Sequence, residues 1–316
     1  MGGIAEVARV AGVSKSTASR ALTGNGYVSP ATRERVARVA EDLGYVASSS
    51  ASSLATGRTR NIGVVMPYLN RWFFAEVLEG VQEVLLARKR FDGLIAVALE
   101  PDDHELERLV GIGRPVVSVV GDSDQTSVVG LDDVHAARRA TAHLVDLGHE
   151  RITFLGGISD HEGPHVDRER LGGYASRMHD AGLRPDHAPS EVSLPGGYDV
   201  AVDLLSDPDR RPTAIVAACD EVAIGAIIAA RRLGIAVPSA LSVVGIDNHE
   251  YSEMFGLTTL EQSPRGQGAA AARLLLDHLR SPGTERTQMR LHARLIVRGS
   301  TSPPPGTPSV AVGVIP

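Results

Sequence analysis

From Ile4 to Leu43 apolar residues recur at helical spacing; from Asn61 onward they gather into short runs separated by amphipathic stretches. The first texture predicts three short helices. Ile4–Val10 is one and Ser14–Leu22 a second; a Gly24-Asn25-Gly26 loop follows. Ser29 and Pro30 open the third, whose Val36, Val39, Ala40 and Leu43 fall at i, i+3, i+4 and i+7 before Gly44 ends it. The second texture predicts strands at Ile62–Met66, Leu94–Val97, Val116–Val120, Val128–Leu131, Ile152–Leu155, Ala214–Ala217, Ser242–Ile246 and Leu295–Arg298. Helices are expected near Phe73–Ala87, His104–Val110, Val134–Leu147, Arg168–Ala181, Tyr198–Ser206, Glu221–Leu233 and Gly266–Arg280. Continuous apolar strands alternating with helices imply parallel sheets covered on both faces. Between the two regions, residues 47–57 are Ser-rich and nearly uncharged, which reads as a flexible linker. Within it Ala51, Leu54 and Ala55 would share one face of a short helix if a partner pressed on it.

Small residues in the first region give it a sharper meaning. Ala8 lets two helices approach, Gly12 takes the positive φ of a tight turn, and Val13 plugs the angle between the helices. Ser14 is placed to cap the second helix. That helix presents Lys15, Ser16, Thr17, Ser19 and Arg20 in its first two turns, short donors and acceptors with two cations. Such a surface suits a recognition helix in a major groove; an ordinary helical hairpin with a solvated face is the plain alternative.

Charge sharpens the division. The net charge is −6, yet residues 1–60 hold eight Lys and Arg against four Asp and Glu, so a basic head sits on an acidic body. Only the head is then expected to touch a polyanion. With 316 residues, 43% of them hydrophobic and 4% aromatic, the chain suits two or three domains with aliphatic cores. The single cysteine, Cys219, excludes an intrachain disulfide and a cysteine-rich zinc site. No signal-like or membrane-spanning apolar run is present, and a cytoplasmic protein is expected.

Seven segments in order, VARVAGVSKSTASRAL, VSPATRERVARVAEDLGY, SLATGRTRNIGVVMP, HLVDLGHERITFLGG, ACDEVAIGAI, SVVGIDN and LTTLEQ, resemble the lactose-repressor (LacI/GalR) family of bacterial transcription regulators. The resemblance implies a helix-turn-helix domain at 1–46, a hinge at 47–60 and a periplasmic-binding-protein-like core of two parallel-sheet subdomains at 61–299. Its N-subdomain would be about 61–148 with 264–289, and its C-subdomain about 149–262 with 290–299. Crossovers are then placed near Leu147–His149, Leu260–Pro264 and Met289–Leu291, with a disordered tail at 300–316. The implied mechanism is a homodimer, without cofactor or membrane, that reads double-stranded operator DNA and whose affinity a small effector, a sugar or related metabolite, controls.

By position Lys15 and Ser16 match the family's base-reading pair. Ser14, Thr17, Ser19, Arg20, Asn25, Thr32 and Tyr45 match positions near bases or phosphates, and Leu54 the hinge residue that wedges into the minor groove. For the effector, residues just after strands are the candidates. Phe73 and Phe74 could stack on a sugar face. Asp132, Asp133, Asp220 and Asp247 offer carboxylates, and Gln262 lies at a crossover. Arg170 stands where the family has its effector-binding arginine. Asp133 and Asp220 could equally cap the helices that follow them. Cys219 replaces an Asn found in many members, which removes a good hydrogen-bonding group.

One absence stands out. The family's core opens strand, helix, strand, helix, strand, but here a single helix ending near Ala87 leads straight to Arg88–Ile95. A strand–helix unit, on the order of 25–30 residues, is missing. Keeping the helix on its face would make the crossover left-handed, which parallel sheets almost never tolerate, so residues skipped in the numbering are favoured over a true deletion. Two other functions share the core fold, a solute-binding protein and an α/β sugar-handling enzyme. The basic head argues against the first, and no catalytic motif supports the second. His161 and His165, with Asp160 and Glu162, read as a solvated loop rather than a metal site.

Overall fold

The computed structural model describes residues 3–23, 26–43, 45, 61–85, 92–99, 111, 113–121, 123–157, 164–281 and 283–306. The chain divides into two compact units, Met1–Gly63 with Lys89–Gly93, and Val64–Arg88 with Leu94–Pro316.

The first unit carries α1 (Ile4–Val10), α2 (Lys15–Thr23) and α3 (Pro30–Asp42). Gly12 has φ +64°, the left-handed turn that only glycine adopts freely. The turn closes with the Val13 N–H donating to the Ala8 carbonyl at 3.0 Å. Ser14 Oγ accepts from the Thr17 N–H at 3.1 Å and so caps α2. Ser29 caps α3, with Pro30 in its first turn. Val7, Ala8, Ala11, Ala18, Ala21, Val36 and Ala40 form the core, and Val13, Leu22, Leu43 and Tyr45 pack around it. Small side chains at the crossing let three short helices close over so thin a core.

Two sheets build the second unit, except that their strands at Asn61–Val65 and Asp92–Val97 begin within the first unit's residues. The first has the order β1 (Asn61–Val65), β2 (Asp92–Val97), β3 (Val116–Val119), β4 (Ser127–Leu131), β10 (Gln288–Leu291). In it the pairs β2–β3, β3–β4 and β4–β10 are parallel. The second sheet has the order β11 (Arg294–Ile296), β9 (Thr258–Glu261), β8 (Ser242–Asp247), β7 (Ala214–Ala217), β5 (Ile152–Leu155), β6 (Asp186–Ala188). It is parallel except for β11 against β9. The described helices of this unit are α4 (Trp72–Leu85), α5 (Asp133–Asp146), α6 (His165–Asp180), α7 (Leu194–Ser206), α8 (Asp220–Arg232) and α9 (Pro264–Arg280).

Three strands escaped the sequence pattern: β6, β9 and β10. They are short and half polar. In β9 Thr258 and Thr259 are fully buried because their hydroxyls find partners, not because they are apolar. Three helices start upstream of the expected residue, two of them behind a serine cap. Ser193 opens α7 at Leu194 rather than Tyr198, Ser263 opens α9 at Pro264 rather than Gly266, and α6 begins at His165 rather than Arg168. The helix expected at 104–110 lies outside the described residues.

Two domain boundaries need correction. The helix α5 was expected in the N-subdomain, ahead of a crossover at Leu147–His149. Its Ala136, Ala137, Ala140 and Leu144 instead pack with Ile152, Phe154, Tyr174, Val216 and Val244 of the second sheet's layer. The chain therefore changes sheets between Leu131 and Asp133. It returns at Gln262–Ser263, between β9 and α9, and leaves again at His292–Ala293, between β10 and β11. The tail expected to be disordered from residue 300 is fastened to the core over its first residues. Ser300 Oγ donates to the Val243 carbonyl at 2.6 Å and accepts from the Thr258 N–H at 2.8 Å. The Ser302 carbonyl accepts from His149 Nε2 at 2.8 Å. Residues 307–316 lie outside the described residues.

Among the described residues the first sheet has five strands, with β1 at its end beside β2. The junction whose Cα spacing would separate a deletion from skipped residues, at 86–91, lies outside the described residues. The helix before it is held firmly. A Cβ on Gly80 of α4 would come within 1.9 Å of the Arg265 carbonyl oxygen, and one on Gly268 of α9 within 2.0 Å of the Val77 carbonyl oxygen. Reciprocal glycines thus bring α4 and α9 into backbone contact.

Candidate functional site

In the head, the capped start of α2 sets the exposed face. Ser14, Lys15, Ser16 and Arg20 are exposed, and Thr17 and Ser19 half-buried. The Ser14 hydroxyl lies 2.9 Å from that of Ser16 and 2.8 Å from that of Thr17, which fixes this row of short polar groups. Thr32 Oγ1 accepts from the Ser29 hydroxyl at 2.9 Å, so it belongs to the cap of α3. Tyr45 packs against the head's core, its N–H donating to the Ala40 carbonyl at 2.8 Å. Asn25 and Leu54 lie outside the described residues.

In the second unit a cavity of about 240 Å³ opens between the two sheets. The carboxyl ends of the strands point at it from both sides. Ala98, Val120 and Asp133 come from the ends of β2, β3 and β4; Glu221, Asp247, His249 and Gln262 come from the ends of β7, β8 and β9. Backbone strain gathers here. Ala98, Val120, Asp247 and Asn248 all have positive φ, of 46°, 69°, 141° and 58°. For a β-branched residue such as Val120 this is a costly conformation, of order 1–3 kcal/mol, and it falls on the cavity wall.

Arg170, on α6, reaches the floor and is buried. Its Nε donates to Asp133 Oδ1 at 2.7 Å and its Nη1 to the Ala218 carbonyl at 2.6 Å. Burial alone would make its charge harder to keep, but Asp133 and Asp247 raise its pKa further above the ordinary value. Asp247 Oδ1 accepts from Gln262 Nε2 at 2.5 Å, and Gln262 Oε1 accepts from Gln267 Nε2 at 2.9 Å. Burial pushes Asp247 up to about 7; Arg170 works against that shift, and the neighbouring Asp220 carboxylate adds to it. Cys219 is buried on the wall, its thiol pushed up by burial, so it stays a protonated, nearly apolar surface.

Aromatic rings form the other wall. Phe73 and Phe74 meet edge to face at 5.4 Å, and Trp72 lies 5.0 Å from His249 across the cavity. Arg71 bridges the mouth. Its guanidinium sits 4.6 Å above the Tyr68 ring, its Nη2 is 3.1 Å from Glu191 Oε1, and its Nη1 donates to the Val192 carbonyl.

Of the nine effector candidates, the structure brings seven to the cavity: Phe73, Phe74, Asp133, Arg170, Cys219, Asp247 and Gln262. Two are engaged elsewhere. Asp132 caps α5 by accepting from the His135 N–H at 2.9 Å. Asp220 is buried behind the wall and accepts from the His249 N–H at 2.9 Å, the Ser252 hydroxyl at 2.5 Å and the Thr259 hydroxyl at 2.6 Å. It anchors the loop after β8 and caps nothing; Cys219 holds the N-cap position of α8. Sequence reasoning missed Tyr68, Arg71, Trp72, Glu221 and His249. Trp72 and Glu221 adjoin chosen residues and Arg71 and His249 lie two positions off, so a wider window would have found these four; Tyr68, five positions before Phe73, carried no such signal. Among the described residues no three metal-binding side chains gather, and no helix is long and apolar enough to cross a membrane.

The comparisons with known proteins agree with this architecture. The family model for a periplasmic binding protein-like domain matches residues 141–301, and that for bacterial regulatory proteins of the lacI family matches residues 3–48. Catabolite control protein A of Priestia megaterium is 30% identical, over 94% of this chain and 98% of its own. Among solved structures, the lac repressor dimer bound to operator and the anti-inducer ONPF has a TM-score of 0.82 at 26% identity, covering 95% of this chain and 99% of that one. A complex of the regulator CelR with cellobiose has a TM-score of 0.68 at 29% identity, over 95% and 100%. The Priestia alignment spreads 94% of these 316 residues over 330 positions, so that relative carries stretches with no counterpart here. A DNA-binding head followed by a two-sheet core, matched along nearly the whole chain, identifies this protein as a member of the lacI family of bacterial regulatory proteins, a DNA-binding transcription regulator and not an enzyme.

Proposed function

We propose that the protein is a repressor, a cytoplasmic homodimer that binds a pseudo-palindromic operator through α2 and whose operator affinity is set by a small hydroxyl-rich effector in the cavity. The observation that carries this reading is the polar floor of the cavity. Asp247, Arg170 and Gln262 converge at strand ends opposite a wall of Trp72 and Phe73. Carboxylate and guanidinium groups suit hydroxyls that donate and accept, and ring faces suit the C–H face of a sugar. The relatives support it, since one was solved on operator DNA and another with cellobiose. An effector acts only through its different affinities for two states of the core, and a site between two sheets is placed to sense the angle between them.

The test pairs operator binding with ligand screening. Mobility shift with genomic fragments should isolate an operator, and a sugar that raises the melting temperature should change the shift. Asp247→Ala should abolish that response. A response unchanged at the wild-type ligand concentration would place the effector elsewhere.

A further inference from the structure

We infer that Gln267 is a positioning residue for effector recognition, holding the Gln262 amide in the one orientation that gives Asp247 a donor; this rests on the effector reading above. Asp247 Oδ1 accepts from Gln262 Nε2 at 2.5 Å, and Gln262 Oε1 accepts from Gln267 Nε2 at 2.9 Å. Asp247 and Gln262 line the cavity, whereas Gln267 is fully buried and does not reach it. The two amides run in one sense, each NH2 group turned toward the carboxylate. An ionised carboxylate only accepts, so the far end sets that sense. The last torsion of a glutamine has two nearly equivalent orientations. Turned over, Gln262 would set its carbonyl oxygen against the carboxylate. The bond from Gln267 holds it the right way round. That bond comes from a firm place. The Gln267 N–H donates to the Ser263 carbonyl at 2.9 Å in the capped first turn of α9, and the next residue, Gly268, is the one pressed against the Val77 carbonyl of α4.

Stability does not account for Gln267. Its Oε1 is buried and meets no donor among the described residues. A half-satisfied amide inside packed helices is costly, and a leucine of similar size would remove the cost. What Gln267 supplies is the direction of the chain of bonds. One Gln262 N–H is given to Asp247. The other N–H and the Asp247 Oδ2 take no hydrogen bond among the described residues. Together they offer one donor and one acceptor. A single hydroxyl of the effector answers both, since it accepts and donates.

Isothermal titration of the full chain at pH 8 tests this, with ribose, glucose, galactose and cellobiose as probes. Gln267→Leu should weaken whichever of these the wild type binds roughly tenfold, while the unliganded melting temperature stays at or above that of wild type. Carbon-13 NMR of the unliganded protein should show the Asp247 carboxyl titrating at higher pH in the variant, because a donor to its charged form is lost. A merely structural glutamine would leave that midpoint in place. Gln267→Met repeats the melting measurement with a more adaptable side chain. Unchanged affinity in Gln267→Leu, an unmoved Asp247 midpoint, or a melting temperature lowered by several degrees in both variants overturns the positioning role and leaves the effector reading in place. If none of the four sugars binds the wild type, both are overturned.

Discussion

Arg170 and Asp133 meet at 2.7 Å with both side chains almost removed from solvent. They link α6, beyond β5, to the first turn of α5, just where the chain changes sheets. The pair thus fastens the cavity floor as well as facing it. Removing one partner leaves a buried charge uncompensated, which costs roughly 3–5 kcal/mol, whereas replacing both by apolar residues is often near neutral. Asp133→Ala should therefore lower the urea midpoint of the core sharply, and the double change Asp133→Leu with Arg170→Met should recover most of the loss. A midpoint for Asp133→Ala within error of wild type would show that the pair contributes little.

The Asp247 carboxyl, raised to about 7 from an unfolded value near 3.9, makes a pH prediction. Between those values the folded chain holds a proton that the unfolded chain has released. This group's contribution to stability is full at low pH and is lost as pH rises from about 4 to about 7. Asp247→Asn should flatten that decline in a series of thermal melts. A ligand that donates to the carboxylate favours its charged form, so binding near pH 7 should release protons and weaken as pH falls below it. Titrations in two buffers of different ionisation enthalpy read the proton count directly; zero protons at pH 7 would exclude a bond to the ionised carboxylate.

At the exposed start of α2, Lys15 stands beside the hydroxyl row fixed by Ser14. If it reads a base, Lys15→Ala should cost about 1–3 kcal/mol at the operator and relax the preference at one or two base pairs. Uniform weakening across unrelated sequences, with a shallower salt dependence, would make it a phosphate contact instead.

Trp72 is the only tryptophan in the chain, and its ring lies on the cavity wall 5.0 Å from His249. Its emission should change when effector binds, and Trp72→Phe should remove the signal. With that reporter, Arg71→Ala should speed effector release several-fold while moving stability by no more than about 1 kcal/mol, because its ion-pair partner Glu191 is mostly exposed to solvent. An unchanged release rate would mean that the bridge at the mouth does not retain ligand.

Much of this was legible in the sequence, and the failures have physical causes. The apolar strands and the turn at Gly12 announce themselves, since each depends on local chemistry. The sheet on which α5 packs does not. Its stripe of Ala136, Ala137 and Ala140 is small enough to fit either layer, and only the Phe154 and Tyr174 surface it meets decides. Neighbouring acids such as Asp132 and Asp133 are likewise alike on paper. One caps the helix while the other turns inward to Arg170, a division set by backbone direction. Asp220 stands after a strand, which suggests a ligand contact; its three donors come from residues 29 to 39 positions away, beyond the reach of any local pattern.

The fastening of Ser300 and Ser302 bears on where the gene can be cut. A stop codon after Gly299 spares every strand yet removes the hydroxyl that accepts from the Thr258 N–H and the carbonyl that holds His149. His149 would keep its contacts to Thr213 and Ser242 but lose the partner that favours its charged form. A fragment meant for crystallisation should therefore run past Pro304, and a library of shortened chains should show soluble yield falling abruptly between residues 304 and 299, not gradually.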